Sequence, residues 1–157
     1  MDAVGLTILL KEIEVDCAVI AAAARKARVR LGEPSGGRLE ACAYELARLY
    51  NCFEKILERI CRGFENHFDK RDDYHERLIQ RLALELPGIR PEFIPKTGIS
   101  IVRELKGFRH VVRHAYDLEF REPRVAELTK MAESLADELP GWTATFANRV
   151  KAEQGWT

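Results

Sequence analysis

Between Arg38 and Asn66, apolar side chains recur every three or four residues: Leu39, Cys42, Leu46, Leu49, Phe53, Ile56, Ile60 and Phe64. At about 100° per residue that spacing gathers them on one face, so the segment is expected to be a long helix burying this stripe. Tyr44 and Tyr50 flank the stripe and read as core or interface residues. Val4 to Leu31 repeats the period, with Asp2 as N-cap, acids Glu12, Glu14 and Asp16 early, and Arg25, Lys26, Arg28 and Arg30 late. A helix dipole favours that polarity. The run Ala21 to Ala24 offers a flat surface for close helix packing, and Gly32-Glu-Pro-Ser-Gly-Gly37 ends the helix and turns the chain into a hairpin.

Glu65 to Glu76 is polar and mainly acidic, and is read as a solvated link containing His67 and His75. A shorter third helix is expected through Leu78, Leu82 and Leu84. Pro87, Pro91 and Pro95 then forbid helix, because each removes a donor and pushes its predecessor into extended conformation. Thr97 or Ser100 is the expected cap of a fourth helix whose buried stripe is Ile101, Leu105, Phe108, Val112 and Ala115. Arg121-Glu-Pro-Arg124 breaks the chain again. A last helix from near Val125 carries Leu128, Met131, Leu135 and Leu139, and Trp142, Phe146 and Val150 keep the spacing beyond Pro140-Gly141, so a kinked continuation to about Ala152 is expected. No segment alternates as a strand and no repeat is visible. The expectation is an all-α, up-and-down bundle of about five helices, forming a single domain over residues 1–157.

Composition narrows the setting. The 25 basic and 25 acidic residues cancel, so no global field draws the molecule to nucleic acid or membrane, and any anion site must be local. Cys17, Cys42, Cys52 and Cys61 lie inside helical patterns without a Cys-x-x-Cys pair, which reads as reduced thiols in a reducing cytosol. The longest apolar run, Cys17 to Ala24, is far short of the roughly 20 residues of a membrane span, and the N-terminus has no leader pattern. A soluble, cytoplasmic protein without membrane contact is expected.

One stretch departs from plain amphipathic helix. In Gly107-Phe-Arg-His-Val-Val-Arg-His-Ala-Tyr-Asp117, the residues Arg109, His110, Arg113, His114 and Tyr116 crowd together. Burying such groups without partners costs several kcal/mol, about 2–7 for a polar group and more for a charge, so a core helix has no need of them. With Arg109 at zero on an ideal helix, Tyr116 falls near about −20°, Arg113 about 40°, Asp117 about 80°, His110 about 100° and His114 about 140°. Lys96 to His114 also holds five Lys or Arg against one Glu, a cationic strip that includes Arg103 and Lys106 and suits a phosphate-bearing partner.

Several chemistries use such a set. His110 and His114 have the i, i+4 spacing of a helical zinc pair, but position 111 is Val where a zinc protease has its Glu, and no third ligand is apparent. Asp72 and His75 have the spacing of a carboxylate–histidine ligand pair, again without a second pair to complete a di-metal site. No metal or cofactor is therefore expected. A guanidinium with a histidine instead suits metal-free phosphodiester cleavage, in which histidine moves a proton, arginine stabilises charge on the phosphorane, and RNA supplies its own 2′-hydroxyl nucleophile. The bland alternative is that basic residues near a helix C-terminus satisfy free carbonyls and the dipole.

Phe108-Arg-His-Val-Val-Arg-His-Ala-Tyr116, after a Pro-rich loop in a five-helix chain of this size, resembles the HepT-like branch of the HEPN ribonucleases. That signature is Arg, a polar residue, three variable residues and His, extended by x-Tyr; Arg109, His110, His114 and Tyr116 fill its places, with His110 where many relatives carry Asn. The resemblance implies a helical bundle, a homodimer bringing two motifs to one cleft, and metal-independent RNA cleavage. Arg109 and His114 would be catalytic with His110 in support, and Arg113, Lys106 and Arg103 would bind RNA phosphate. The divergence of about 140° between Arg109 and His114 agrees with a second copy contributing to one site. The likeness further implies a toxin of a type VII-like HEPN/MNT toxin–antitoxin pair, whose nucleotidyltransferase antitoxin adenylylates Tyr116; phosphates there would occupy charges that RNA needs. The rival expectations are a catalytically silent bundle serving as the binding subunit of a nucleotidyltransferase and, behind it, a metal-binding bundle using His110 and His114.

Overall fold

The computed structural model describes residues 1–65, 72–115, 117 and 119–156. The described residues form five α-helices: α1 (Ala3–Leu31), α2 (Arg38–Glu65), α3 (Tyr74–Leu82), α4 (Ile99–His114) and α5 (Glu122–Gln154). Among the described residues the only extended pairing is the isolated bridge between Leu86 and Arg90, so the fold is all-α as the periodicity predicts.

Asp2 caps α1 as expected, its carboxylate accepting from the Gly5 N–H at 2.7 Å. The hairpin turn lays α1 antiparallel on α2: Leu9 lies by Gly63, and Asp16 accepts from Arg59 Nε at 2.8 Å. Asp16 occupies an i+3 place in the α1 apolar stripe and is buried, and this ion pair with Arg59 is what makes that burial tolerable.

Helix α2 is the central strut and touches every other α-helix. Cys42, Leu46, Leu49, Phe53, Ile56 and Ile60 are buried as the stripe predicts, whereas Leu39 and Phe64 pack partly buried at its ends. The buried sector is wider than the stripe, because Tyr50, Glu54, Leu57 and Cys61 form a second inward row. Tyr44, in contrast, stands exposed. Helix α5 runs parallel to α2, through Cys42 against Thr129, Phe53 against Trp142 and Phe64 against Phe146. It starts at Glu122, with Pro123 in the first turn where its missing N–H costs nothing, and continues past Pro140 to Gln154.

The proline-rich loop is pinned by Arg90. Its guanidinium is fully buried and donates to the Glu65 carboxylate at 2.8 and 2.6 Å and to the carbonyls of Arg81, Leu84 and Pro91. Phe93 and Ile94, anchored through their N–H groups on the Leu82 carbonyl, enter the core beside Trp142 and Phe146. Leu84, expected on the third helix, lies beyond its end and is exposed.

Neither Thr97 nor Ser100 caps α4. A 3-10 turn (Lys96–Gly98) leads into it, and no side chain bonds the free N–H groups. The reason is packing: a Cβ at Gly98 would overlap the Trp142 ring, so the chain enters α4 where only glycine lets α5 approach. Val102, Leu105 and Phe108 bury α4, with Ile101 and Val112 partly buried at the margins.

Candidate active site

Helix α4 ends at His114, where Ala115 leaves helical geometry (φ −84, ψ 89). The helical arc drawn from the sequence therefore holds only as far as His114, and the angle assigned to Asp117 does not apply. Tyr116 itself lies outside the described residues, as does His67.

Within α4, Phe108 turns into the core and directs the motif outward. Arg109 is half-buried and faces the corner where α2 and α3 meet. Its Nε donates to Asn51 Oδ1 of α2. Its Nη1 lies 3.4 Å from His75 Nε2 of α3, whose Nδ1 is 2.6 Å from the carboxylate of Glu54 on α2. The Glu54 side chain is only 9% exposed and the His75 side chain 42%. His75 thus belongs to a helix and to this corner; the solvated-link reading of its segment fails there, because the polar residues of early α3 are matched to partners on α2 and α4. Glu58, one turn along α2 from Glu54, accepts from the hydroxyl of Tyr74.

The Tyr50 hydroxyl is buried beside Glu54 with no partner of hydrogen-bond geometry among the described residues. Burial, reinforced by the Glu54 charge, pushes its ionisation far above the ordinary phenol value, so Tyr50 stays neutral here.

His110 and His114 stand exposed on another face of α4, their rings 4.3 Å apart between centroids. Among the described residues no third His, Cys, Asp or Glu joins them as a metal-ligand group. Arg113 is exposed. Arg103 and Lys106 both bind Glu76 of α3, Arg103 through Nε at 3.0 Å and Nη2 at 2.9 Å, so one α3 carboxylate shared by two cations offsets part of the strip's expected charge. Burial works against the Glu76 carboxylate, but bonds from Lys106 and Arg103 outweigh it and hold the group below the ordinary range.

The structure thus gathers Asn51, Glu54, His75 and Arg109 at one corner and His110 with His114 at another. No contact among the described residues joins Arg109 to His114. Sequence reasoning missed the first corner. Its signal lay in the i, i+4, i+7, i+11 row Tyr50, Glu54, Leu57, Cys61, in which an acid sits where an apolar residue is due.

The family model described as HepT-like protein matches residues 41–150, from early α2 to late α5, with the whole motif inside. The chain belongs to the HepT-like family. The match and the all-helical architecture identify its fold as a HEPN-type bundle. No curated protein and no solved structure matches the chain. Among the described residues, no helix of this HepT-like protein is long and apolar enough to cross a membrane.

Proposed function

We propose that this HepT-like protein is a toxin that cleaves RNA without a metal ion, acts as a homodimer, and is silenced when a nucleotidyltransferase antitoxin adenylylates Tyr116. The observation that carries the reading is the state of Arg109. Its guanidinium is held by the amide oxygen of Asn51 and the imidazole of His75, and no carboxylate among the described residues lies within ion-pairing distance. Among the described residues its positive charge has no direct ion-pair partner, as an anion site requires, and an exposed histidine pair lies on the same helix.

In the reaction, the RNA 2′-hydroxyl attacks the adjacent phosphorus as one imidazole takes its proton, and the P–O5′ bond breaks as a second, protonated imidazole gives its proton to the leaving 5′-oxygen, yielding a 2′,3′-cyclic phosphate and a 5′-hydroxyl. Arg109 stabilises the charge that builds on the phosphorane oxygens. His114 is the principal proton carrier and His110 its support, with Arg113, and behind it Lys106 and Arg103, drawing in the RNA backbone. Arg109 and His114 face different ways on one helix, which favours a site completed by a second copy.

Purified protein incubated with RNA in EDTA is expected to cut it, and His114→Ala to leave it intact while far-UV circular dichroism is unchanged. Equal cutting by His114→Ala removes the catalytic assignment. Co-expression with a nucleotidyltransferase antitoxin is expected to add adenylate-sized mass, lost in Tyr116→Phe; a stable, unmodified complex without nuclease activity would instead indicate a binding subunit.

A further inference from the structure

Arg109 is the centre of the proposed reaction, yet its position is set from other helices. A carboxylate only accepts hydrogen bonds, so the 2.6 Å contact between Glu54 and His75 Nδ1 requires a proton on that nitrogen. In the neutral imidazole the other nitrogen then carries a lone pair. That nitrogen, Nε2, is the one 3.4 Å from Arg109 Nη1, where it accepts. Asn51 takes the Nε hydrogen from the other side, and of the five N–H donors three remain without a partner among the described residues.

We infer that His75 is a positioning residue for Arg109, with Glu54 acting through it: the buried carboxylate fixes the imidazole tautomer so that Nε2 aims the guanidinium. The inference rests on the proposed function for its catalytic consequence, but not for its geometry. A direct Glu54–Arg109 ion pair would hold the side chain as firmly and would cancel the charge. The imidazole passes on the orientation and keeps the carboxylate at one remove. Asn51 fixes the second point, so rotation about the end of the side chain is arrested while the remaining donors stay open to a phosphate.

Two readouts separate this inference from the proposed function. Long-range 1H–15N correlation spectra of the wild-type protein are expected to show His75 with Nδ1 protonated and Nε2 bare; the opposite tautomer overturns the inference whether or not RNA is cut. In RNA cleavage, His75→Ala is expected to lower kcat by about 10–100-fold, the scale of orienting partners, with a smaller change in KM. His75→Gln, whose amide oxygen reaches the place of Nε2, is expected to recover most of that loss. Wild-type kcat in His75→Ala overturns the inference, as does a His75→Gln protein no better than His75→Ala. If the wild-type protein leaves RNA intact, the proposed function falls. The Arg109 Nη–H resonances, on the side that faces His75, then decide the inference: retained in His75→Gln but shifted toward those of a free arginine in His75→Ala supports it, and unchanged in both overturns it.

Discussion

Arg90 and Arg109 carry the same guanidinium into corners built on opposite terms. Arg90 is fully buried, ion-paired to Glu65, and bonded to three backbone carbonyls, so its charge is cancelled and its donors are consumed. Arg109 is half-buried and, among the described residues, its polar partners are an amide oxygen and an imidazole nitrogen. The first arrangement pins a loop that proline stiffens but cannot anchor. The second holds a cation in place and leaves its charge available. What separates the two arginines is a carboxylate among the direct partners of Arg90 and, among the described residues, none among those of Arg109.

That contrast is open to attack on both sides. Arg90→Ala strands the Glu65 carboxylate with a smaller set of partners and is expected to cost about 3–5 kcal/mol of stability, read from urea unfolding. Arg109→Ala is expected to change stability by less than about 1 kcal/mol, since a half-exposed side chain leaves no buried charge behind. Its RNA cleavage should nonetheless fall by about 100–1,000-fold, the loss typical of one donor to transition-state charge. Comparable destabilisation by the two substitutions would erase the distinction.

A smaller effect sharpens the picture at the neighbouring corner. Glu76 is held below its ordinary 4.5 in the folded chain despite burial, by Lys106 and Arg103. Its contribution to stability is therefore fully present above pH 4.5 and lost as pH falls through the lowered value. Unfolding midpoints followed downward from pH 4.5 should decline less steeply in Glu76→Gln, by up to about 1 kcal/mol for so accessible a pair.

Much of the fold was legible from period alone. The α2 stripe, the Asp2 cap and the continuation past Pro140 follow from local rules that survive in the assembled molecule. The Arg90 pin was not legible, because its partner Glu65 is far along the chain and its other partners are carbonyls, which have no sequence signature. The motif on α4 announced itself through its density of charge. Its supports did not: Asn51 resembles any surface residue, and His75 lies in a segment whose composition suggests a solvated link. The sequence also overextended α4, whose end at His114 is marked by no proline or glycine, and it overestimated the free charge of Arg103 and Lys106 because Glu76 comes from another helix.

Gly98 gives the motif a mechanical dimension. Helix α4 is a rod about 24 Å long with one foot against the indole of Trp142, and Arg109 lies roughly 16 Å along it. A single added methyl group at that foot would tilt the rod about its contacts with α2 and α3, and a lever of this length turns a small displacement at Gly98 into a comparable or larger one at the guanidinium and the histidine pair. Reaction geometry is spoiled by about 1 Å. The seating of the helix that carries the motif thus depends also on its far end, on an atom that is not there.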